Sequence, residues 1–404
     1  MRLAVVSPFV DRRHGTERCL AEQLERFAAQ PGAEIHVYSQ RLEDLAAVVR
    51  YPEISAGRII WHNVPRLPGP HLIGYLWWLG ANHFQRWWDT RFRGLQFDLT
   101  YSPGINAFDA DAITIHVLFT EFYRRIRPHL RLRDASVSLW PVILHRRLYY
   151  RLICLLERHV YPRKNTALAV ISQRSAAYAR TFFKRNDVTV ICYGVDTNTF
   201  HPRNRLERRQ SARSSFRLMP GDCCVLLIGN DWKSKGLDTL LRSISACPEI
   251  AFRLLVVGSD DPRVHKEMAR TLHVESKVQF CASSSDVMQF YAAADVYASP
   301  SREDAFALPP IEAMACGLPV ITSSNNGGSQ VITEGIDGFV MTDAEDSIAL
   351  ADLLRRLAQD DTLRNYVGEN AARTAQQYTW DRNAADTWEF LNTAHAKKVR
   401  LPGV

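Results

Sequence analysis

The sequence predicts an α/β protein with two doubly wound domains, each built around a parallel β-sheet. The chain has 404 residues, a length typical of two or three domains. It opens with an apolar strand at 3–7, a helix at 16–28 and a second strand at 34–39, the order that begins a doubly wound domain. The alternation of strands and helices restarts near residue 224 and continues to residue 322, which predicts a second parallel sheet.

A polar, arginine-rich stretch at 201–215 separates the two series of elements, and we expect it to be a linker. We therefore place an N-terminal domain at 1–205, a C-terminal domain at 206–380 and a last segment at 381–404. The first helix carries apolar residues on one face, as packing against a sheet requires. These residues are Leu20, Leu24 and Phe27.

The composition argues against several classes of protein. Apolar residues make up 46% and charged residues 23% of the chain, which is ordinary for a globular protein. No apolar run is as long as a membrane-spanning helix, and the apolar start is too short for a signal peptide. The eight cysteines are scattered without a C-x-x-C pair, which argues against a metal site or a disulfide framework. Reduced thiols in the cytosol are the natural interpretation.

The net charge is +7, and the basic residues are concentrated in the N-terminal half, at 124–133 and 145–164. A basic surface of this kind can attract nucleic acid, anionic lipid or a phosphorylated glycan. The alternative is a solvated charged face. We expect no nucleic-acid partner, because charge alone supports one and no recognised binding motif is present.

The stretch 299–321, SPSREDAFALPPIEAMACGLPVI, combines two carboxylates with a loop and a helix start. Asp304 and Glu312 lie eight residues apart, and the Pro-Pro pair between them suits the first turn of a helix. Gly317 is typical of the residue that follows a helix. The loop follows a strand at 295–299, and in parallel sheets ligands bind where strands end. The alternative is that Glu312 is merely a favourable charge near a helix N-terminus.

This stretch resembles the E-x7-E region of family 4 retaining glycosyltransferases, which have the GT-B fold of two Rossmann-like domains facing across a cleft. In that family the first carboxylate contacts hydroxyls of the donor sugar and the second contacts the nucleotide ribose. The resemblance gives these places to Asp304 and Glu312, with Phe306, Ala307 and Leu308 in the donor-binding loop between them. The family usually has Glu in the first place, so Asp304 is a departure.

A second motif spans 229–238, where a strand ends at Gly229 and a loop with Lys233 and Lys235 leads into a helix. Backbone N–H groups and lysines at a helix start can hold a diphosphate. The segment resembles the family's G-R-L-x-x-x-K-G, whose Arg and Lys neutralise the leaving diphosphate. Lys235 matches the Lys, whereas Asn230 stands in the place of the Arg. This variant is nearest to the lipopolysaccharide-core glucosyltransferases; the alternative is a surface loop with solvated lysines.

Three further donor-side positions follow from the resemblance. The N-terminal loop is similar to the family's G-G-x-E, with His14 and Gly15 for the glycines and Glu17 for the Glu. His116 follows a strand, where the family often has a histidine facing the donor, and Gly258 is expected to face the nucleotide. A plain turn at Gly15 and a structural role for His116 are the alternatives.

Other stretches extend the resemblance along the chain. Residues 188–202 are similar to the family's V-I-x-N-G-V-D-x-x-x-F-x-P, and 326–330 stand where the family has G-G-x-x-E, with Gln330 for Glu. Residues 378–381 resemble the terminal S-W motif, after which the last helix of the family crosses back to the first domain.

The resemblance implies a retaining hexosyltransferase. The donor would be a nucleotide-diphosphate sugar of the UDP-glucose or GDP-mannose type. The acceptor would be a glycan or lipid-linked glycan in lipopolysaccharide or cell-surface polysaccharide synthesis. Asp304, Lys235 and His116 are the candidate catalytic residues. Because lysines would stabilise the leaving diphosphate, we expect neither a metal nor another cofactor.

The N-terminal domain, which binds the acceptor in GT-B enzymes, is aromatic as well as basic. Residues 75–78, Trp87 and Trp88 stand beside Arg86, Arg91 and Arg93. This composition suits a cytoplasmic protein that lies peripherally on the inner face of the membrane, with aromatic rings at headgroup depth. Packing in a core is the interpretation favoured for Trp87 and Trp88.

Two alternative functions stay open. One is a donor-binding protein with weakened catalysis, which the departures at Asp304, Asn230 and Gln330 would favour. The other is a nucleotide-sugar epimerase on the same fold, which would need no acceptor. A nicotinamide-dependent dehydrogenase is disfavoured because no G-x-G-x-x-G follows a strand.

Overall fold

The computed structural model describes residues 1–400, except for a few positions. These are His14, Ala47, Pro52, 54–56 and Ala135, and the side chains of His129 and Asp134. The chain divides into two compact units, of which the first is Met1–Ile191 with Trp380–Val404 and the second is Cys192–Thr379. The first unit therefore ends before the expected boundary at residue 205.

The first unit contains an eight-stranded parallel sheet in the order β10-β9-β8-β7-β1-β3-β6-β5, and a short parallel ribbon of β2 and β4. Its strands are β1 (Arg2–Val6), β2 (Phe9–Val10), β3 (Glu34–Ser39), β4 (Arg41–Leu42), β5 (Val48–Arg50), β6 (Ile59–Asn63), β7 (Leu99–Pro103), β8 (Ala112–Ile115), β9 (Ala167–Val170) and β10 (Thr189–Val190). Its α-helices are α1 (Gly15–Ala28), α2 (His71–Arg93), α3 (Phe119–Ile126), α4 (Trp140–Val160), α5 (Gln173–Phe183) and α13 (Trp380–Arg400). Short 3₁₀ turns lie at Arg127–Leu130, Leu132–Asp134 and Val137–Leu139.

Helix α1 covers one face of this sheet. The predicted apolar face is confirmed, because Leu20, Leu24 and Phe27 are all buried. The C-terminal helix α13 packs on α1, with the rings of Phe27 and Trp388 5.2 Å apart. A buried hydrogen bond of 2.9 Å from Gln23 Nε2 to Asn383 Oδ1 fixes the register of the two helices.

The second unit is a six-stranded parallel sheet in the order β13-β12-β11-β14-β15-β16. Its strands are β11 (Cys223–Ile228), β12 (Phe252–Val257), β13 (Val278–Cys281), β14 (Val296–Ser299), β15 (Val320–Ser323) and β16 (Phe339–Met341). Its α-helices are α6 (Pro202–Ser215), α7 (Leu237–Ser245), α8 (Arg263–Thr271), α9 (Met288–Ala293), α10 (Leu308–Ala315), α11 (Ser347–Gln359) and α12 (Asp361–Ala375). Short 3₁₀ turns lie at Glu275–Lys277 and Gly327–Val331.

The expectation of a linker at 201–215 is wrong, because this stretch forms helix α6. His201 caps the helix by accepting a hydrogen bond from the Arg203 N–H, and Pro202 occupies the first turn. Asp295 then holds the helix through ion pairs with Arg209 and Arg213, the latter at 3.0 Å. Arg209 and Arg213, which the polar sequence would place in solvent, thus attach α6 to the residue that precedes β14.

Helix α2 was not anticipated, and its aromatic residues differ from expectation in one respect. Trp78 is buried, at 2% exposed, but Trp87 is 49% and Trp88 42% exposed, so the favoured interpretation of core packing for these two residues is wrong. Within the part of the chain that the structure describes, no helix is both long and apolar enough to span a bilayer.

Candidate active site

The candidate site in the second unit is built on loops that follow strands β11, β12 and β14. All strands of this sheet are parallel, so these loops leave the sheet at one edge. Gly229 and Gly258 follow β11 and β12, and the two backbones approach closely. A Cβ at Gly258 would overlap the Gly229 carbonyl oxygen and come within 2.7 Å of Trp232 Nε1. Only glycine therefore fits at position 258.

Asn230, which stands where the family has a cation, joins two of these loops. Its Oδ1 accepts a hydrogen bond of 2.9 Å from the Ser259 N–H. This contact links the end of β11 to the end of β12, so the Asn230 side chain stabilises the backbone of the neighbouring loop. Lys233 is exposed in the same loop.

Gly236 brings the lysine loop against the acidic loop. It caps α7 with φ 80°, and a Cβ there would overlap the carbonyl oxygen of Pro300. A side chain at this position would thus push the two loops apart. The close approach places Lys235, one residue earlier, beside the loop that carries Asp304.

Lys235 and Asp304 form an ion pair through Nζ and Oδ2. The two side chains are 15% and 16% exposed, so the pair is largely shielded from water. The other carboxylate oxygen, Oδ1, accepts from the Phe306 N–H at 3.1 Å. Both oxygens of Asp304 are therefore oriented by contacts within the site.

Glu312 lies on α10, whose first turn contains the expected Pro-Pro pair. It is buried, and it accepts a hydrogen bond of 2.7 Å from the hydroxyl of Tyr291. Burial raises the pKa of the nearby Tyr297 phenol, and the charges of Asp304 and Glu312 raise it further. Both carboxylates therefore act on the pKa of the same buried phenol.

The segment between the two carboxylates is packed rather than solvated. Phe306 and Ala307 are buried, and Leu308 is the first residue of α10. The Phe306 ring lies 5.3 Å from the ring of Tyr193 in an edge-to-face arrangement. This packing holds the loop in a defined position.

Two residues support the site in a way that the sequence did not predict, although Asn326 belongs to the stretch 326–330 noted above. Asn326 is buried, and its Oδ1 accepts from the Ala307 N–H at 3.2 Å and the Gly328 N–H at 2.9 Å. Arg302 donates to the carbonyl oxygen of Lys233 at 2.5 Å and so braces the lysine loop. Arg302 stands two residues before Asp304, but nothing local in the sequence reveals its distant partner.

Gly15 and His116 belong to the first unit, whereas the other expected site residues belong to the second. Gly15 is the first residue of α1, and His14 lies outside the described residues. His116 follows β8 and lines a cavity of about 310 Å³ together with Thr16 and Glu17. Burial lowers the pKa of His116 to about 3, so its imidazole is neutral at pH 7.

Residues 209–374 match the family described as Glycosyl transferases group 1. The D-inositol 3-phosphate glycosyltransferase of Corynebacterium glutamicum (strain R) is 28% identical over 222 residues, which cover 52% of this chain and 53% of that relative. The lipopolysaccharide glucosyltransferase WaaG of Escherichia coli (strain K12) is 32% identical over 168 residues, 40% of this chain and 45% of that relative. The chain thus spans about half the length of the curated relatives that it matches.

Solved structures match over nearly the whole chain. The crystal structure of WaaG superposes with a TM-score of 0.72 and 21% identity, covering 95% of this chain and 99% of that chain. The structure of Anabaena Alr3699/HepE in complex with UDP-glucose has a TM-score of 0.65 and 18% identity, covering 97% of this chain and all of that one, 100%. The fold is therefore that of the GT-B glycosyltransferases, and most of the second unit matches the group 1 glycosyltransferase family.

Proposed function

We propose that the protein transfers a hexose from a nucleotide-diphosphate sugar, of the UDP-glucose or GDP-mannose type, to a glycan or lipid-linked glycan. The observation that carries this proposal is the shielded ion pair of Lys235 and Asp304 at the edge of the second sheet, inside the group 1 domain. The relative WaaG, a lipopolysaccharide glucosyltransferase, supports a role in lipopolysaccharide or cell-surface polysaccharide synthesis.

In this proposal Lys235 binds the leaving diphosphate. An ammonium group has three donors, so Lys235 can keep its bond to Asp304 and still donate to a phosphate oxygen. Lys233, which is exposed in the same loop, and the N–H groups at the start of α7 add positive potential. Negative charge grows on the diphosphate as the glycosidic bond breaks, and these groups stabilise it. The reaction then needs no metal.

The carboxylates orient the donor. Asp304 would accept from hydroxyls of the sugar, and Glu312 would accept from the ribose. Gly258, Gly229 and Asn230 shape the loops on which the nucleotide would lie. The neutral His116 can offer an N–H to the sugar without adding charge. Transfer with retention of the anomeric configuration follows from the family resemblance.

The first unit would bind the acceptor and lie on the inner face of the cytoplasmic membrane. Helix α2 exposes a row of large apolar side chains: Ile73, Leu76, Trp77, Phe84, Trp87, Trp88 and Phe92. Arg91 and Arg93 stand on the same helix. Exposed tryptophans beside arginines suit the headgroup region of an anionic bilayer.

A donor screen with purified protein tests the proposed activity. We expect one nucleotide sugar to be turned over, and we expect Asp304→Ala to lower turnover by roughly a hundredfold. Binding without turnover would favour the donor-binding alternative. Interconversion of the free sugar nucleotide without acceptor would favour an epimerase. Unchanged turnover in Asp304→Ala would remove the site from the mechanism.

A further inference from the structure

The first unit contains a cavity of about 410 Å³ that none of the expected site residues lines. It lies between α3, the 3₁₀ turn that follows it, α4 and the end of α5. Four arginines surround it: Arg124, Arg127, Arg151 and Arg158. Its volume is within the range of small-molecule sites in proteins.

The arginines of this cavity are poorly compensated by carboxylates. Glu121 pairs with Arg124 at 3.2 Å, but Arg127, Arg151 and Arg158 make no ion pair with any described residue. These three side chains are exposed. Guanidinium groups gathered around one cavity repel each other, so the arrangement favours a bound anion.

A second buried carboxylate near the cavity, Glu157, is held by other groups. Glu157 is fully buried, and its two oxygens accept from the Phe119 N–H at 2.8 Å and the Thr120 N–H at 2.7 Å. A further bond of 2.6 Å comes from the Thr120 hydroxyl. Glu157 therefore holds the start of α3, and it makes no ion pair with the arginines of the cavity.

The remaining walls of the cavity are largely apolar, formed by Cys154, Leu155 and Phe182, with Tyr123 beside them. Arginine matches phosphate geometry with paired N–H donors. A phosphate monoester presents three terminal oxygens to the guanidinium groups and a phosphodiester presents two, and both carry negative charge at pH 7.

We propose that this cavity binds a phosphate ester through Arg127, Arg151 and Arg158. The phosphate can belong to a phosphorylated glycan or to a phospholipid headgroup. Its assignment to the acceptor rests on the proposed function, because the first unit is the expected acceptor domain. Phosphate binding itself is measured without turnover, so the two proposals fail separately.

The test uses the full chain and two probes, glucose 6-phosphate by calorimetry and phosphatidylglycerol vesicles by co-sedimentation. The double variant Arg151→Gln/Arg158→Gln removes two cavity charges but keeps most of each side chain. Arg131→Gln/Arg146→Gln removes the same charge from exposed positions that do not line the cavity. Lys235→Ala measures any binding of glucose 6-phosphate at the donor site of the second unit.

We expect the cavity double variant to bind at least one probe more weakly by roughly tenfold, which is about 1.4 kcal/mol. The matched control should bind as the wild type does. A response to glucose 6-phosphate assigns the site to a glycan phosphate, and a response to vesicles alone assigns it to lipid. Equal binding of both probes by the two double variants would overturn the proposal. If the cavity double variant does not fold, Arg127→Gln alone decides by the same criterion.

Discussion

Replacing Asp304 by Asn separates the charge of this residue from its shape. The amide oxygen of Asn can still accept the 3.1 Å hydrogen bond from the Phe306 N–H. The ion pair with Lys235 is lost, and Lys235 keeps its charge at a position that is only 15% exposed. Breaking a charge-assisted contact in such a place costs about 1–3 kcal/mol of unfolding free energy.

The effect on catalysis should exceed the effect on stability. If Asp304 orients the sugar and Lys235, loss of the charge removes about 3 kcal/mol of transition-state stabilisation, a rate loss of roughly a hundredfold. We would measure kcat with the nucleotide sugar found in the screen, and the free energy of unfolding by denaturant titration. The two quantities together distinguish a catalytic residue from one that only supports the loop.

The ion pair of Arg208 and Asp286 in the same unit provides a matched control. Both side chains are more than half exposed, at 52% and 55%, so Asp286→Asn should change stability by less than about 0.5 kcal/mol. Its kcat should equal that of the wild type. A normal kcat in Asp304→Asn with a lowered stability would refute a role for this carboxylate in catalysis.

Four further substitutions test other parts of the account. Gly236→Ala should lower the free energy of unfolding strongly, because φ is 80° and a backbone carbonyl fills the space that the Cβ would need. Gly335→Ala, with φ 71° and open space around it, should lower the free energy of unfolding by only about 1–2 kcal/mol, and equal losses would contradict the close approach of the loops. Asn326→Ala should cost about 1–3 kcal/mol in a denaturant titration for each of the two N–H groups that lose their acceptor, and a neutral result would remove it as a support. The folded pKa of His116, about 3, is below its unfolded value, so the unfolded chain binds more protons and the free energy of unfolding should fall as pH decreases from about 6.5 towards 3. His116→Asn should reduce the number of protons taken up on unfolding in this range by one, and an unchanged pH dependence would contradict the neutral burial of His116. Trp87→Ser should weaken co-sedimentation with anionic vesicles, and full retention would argue against α2 as the membrane face.

The sequence predicted the parts of the fold that depend on local patterns. The apolar run 224–227, for example, is buried in the parallel strand β11, because removing apolar side chains from water is favourable. The Pro-Pro pair and Gly317 set the limits of α10, and Gly317 has the expected positive φ of 72°. The acidic and lysine loops follow strands, as expected.

The parts that sequence reasoning missed depend on contacts between distant residues. Helix α6 is too polar to show an apolar face, and it is fixed by Asp295, more than eighty residues away from Arg209 in the chain. Helix α2 exposes apolar residues where an amphipathic pattern would place polar ones. Arg302 and Asn326 act through hydrogen bonds to backbone groups, and such contacts produce no pattern of residue types in the sequence.

Ligand-induced stabilisation in the wild type and in Lys235→Ala tests the central claim most directly. A nucleotide-diphosphate sugar at about one hundred times its dissociation constant should add about 2.7 kcal/mol to the unfolding free energy of the wild type. The same concentration should add much less to Lys235→Ala, because the diphosphate loses its main cation. Equal stabilisation of both proteins by the same nucleotide sugar, or no stabilisation of the wild type by any of them, would contradict the account.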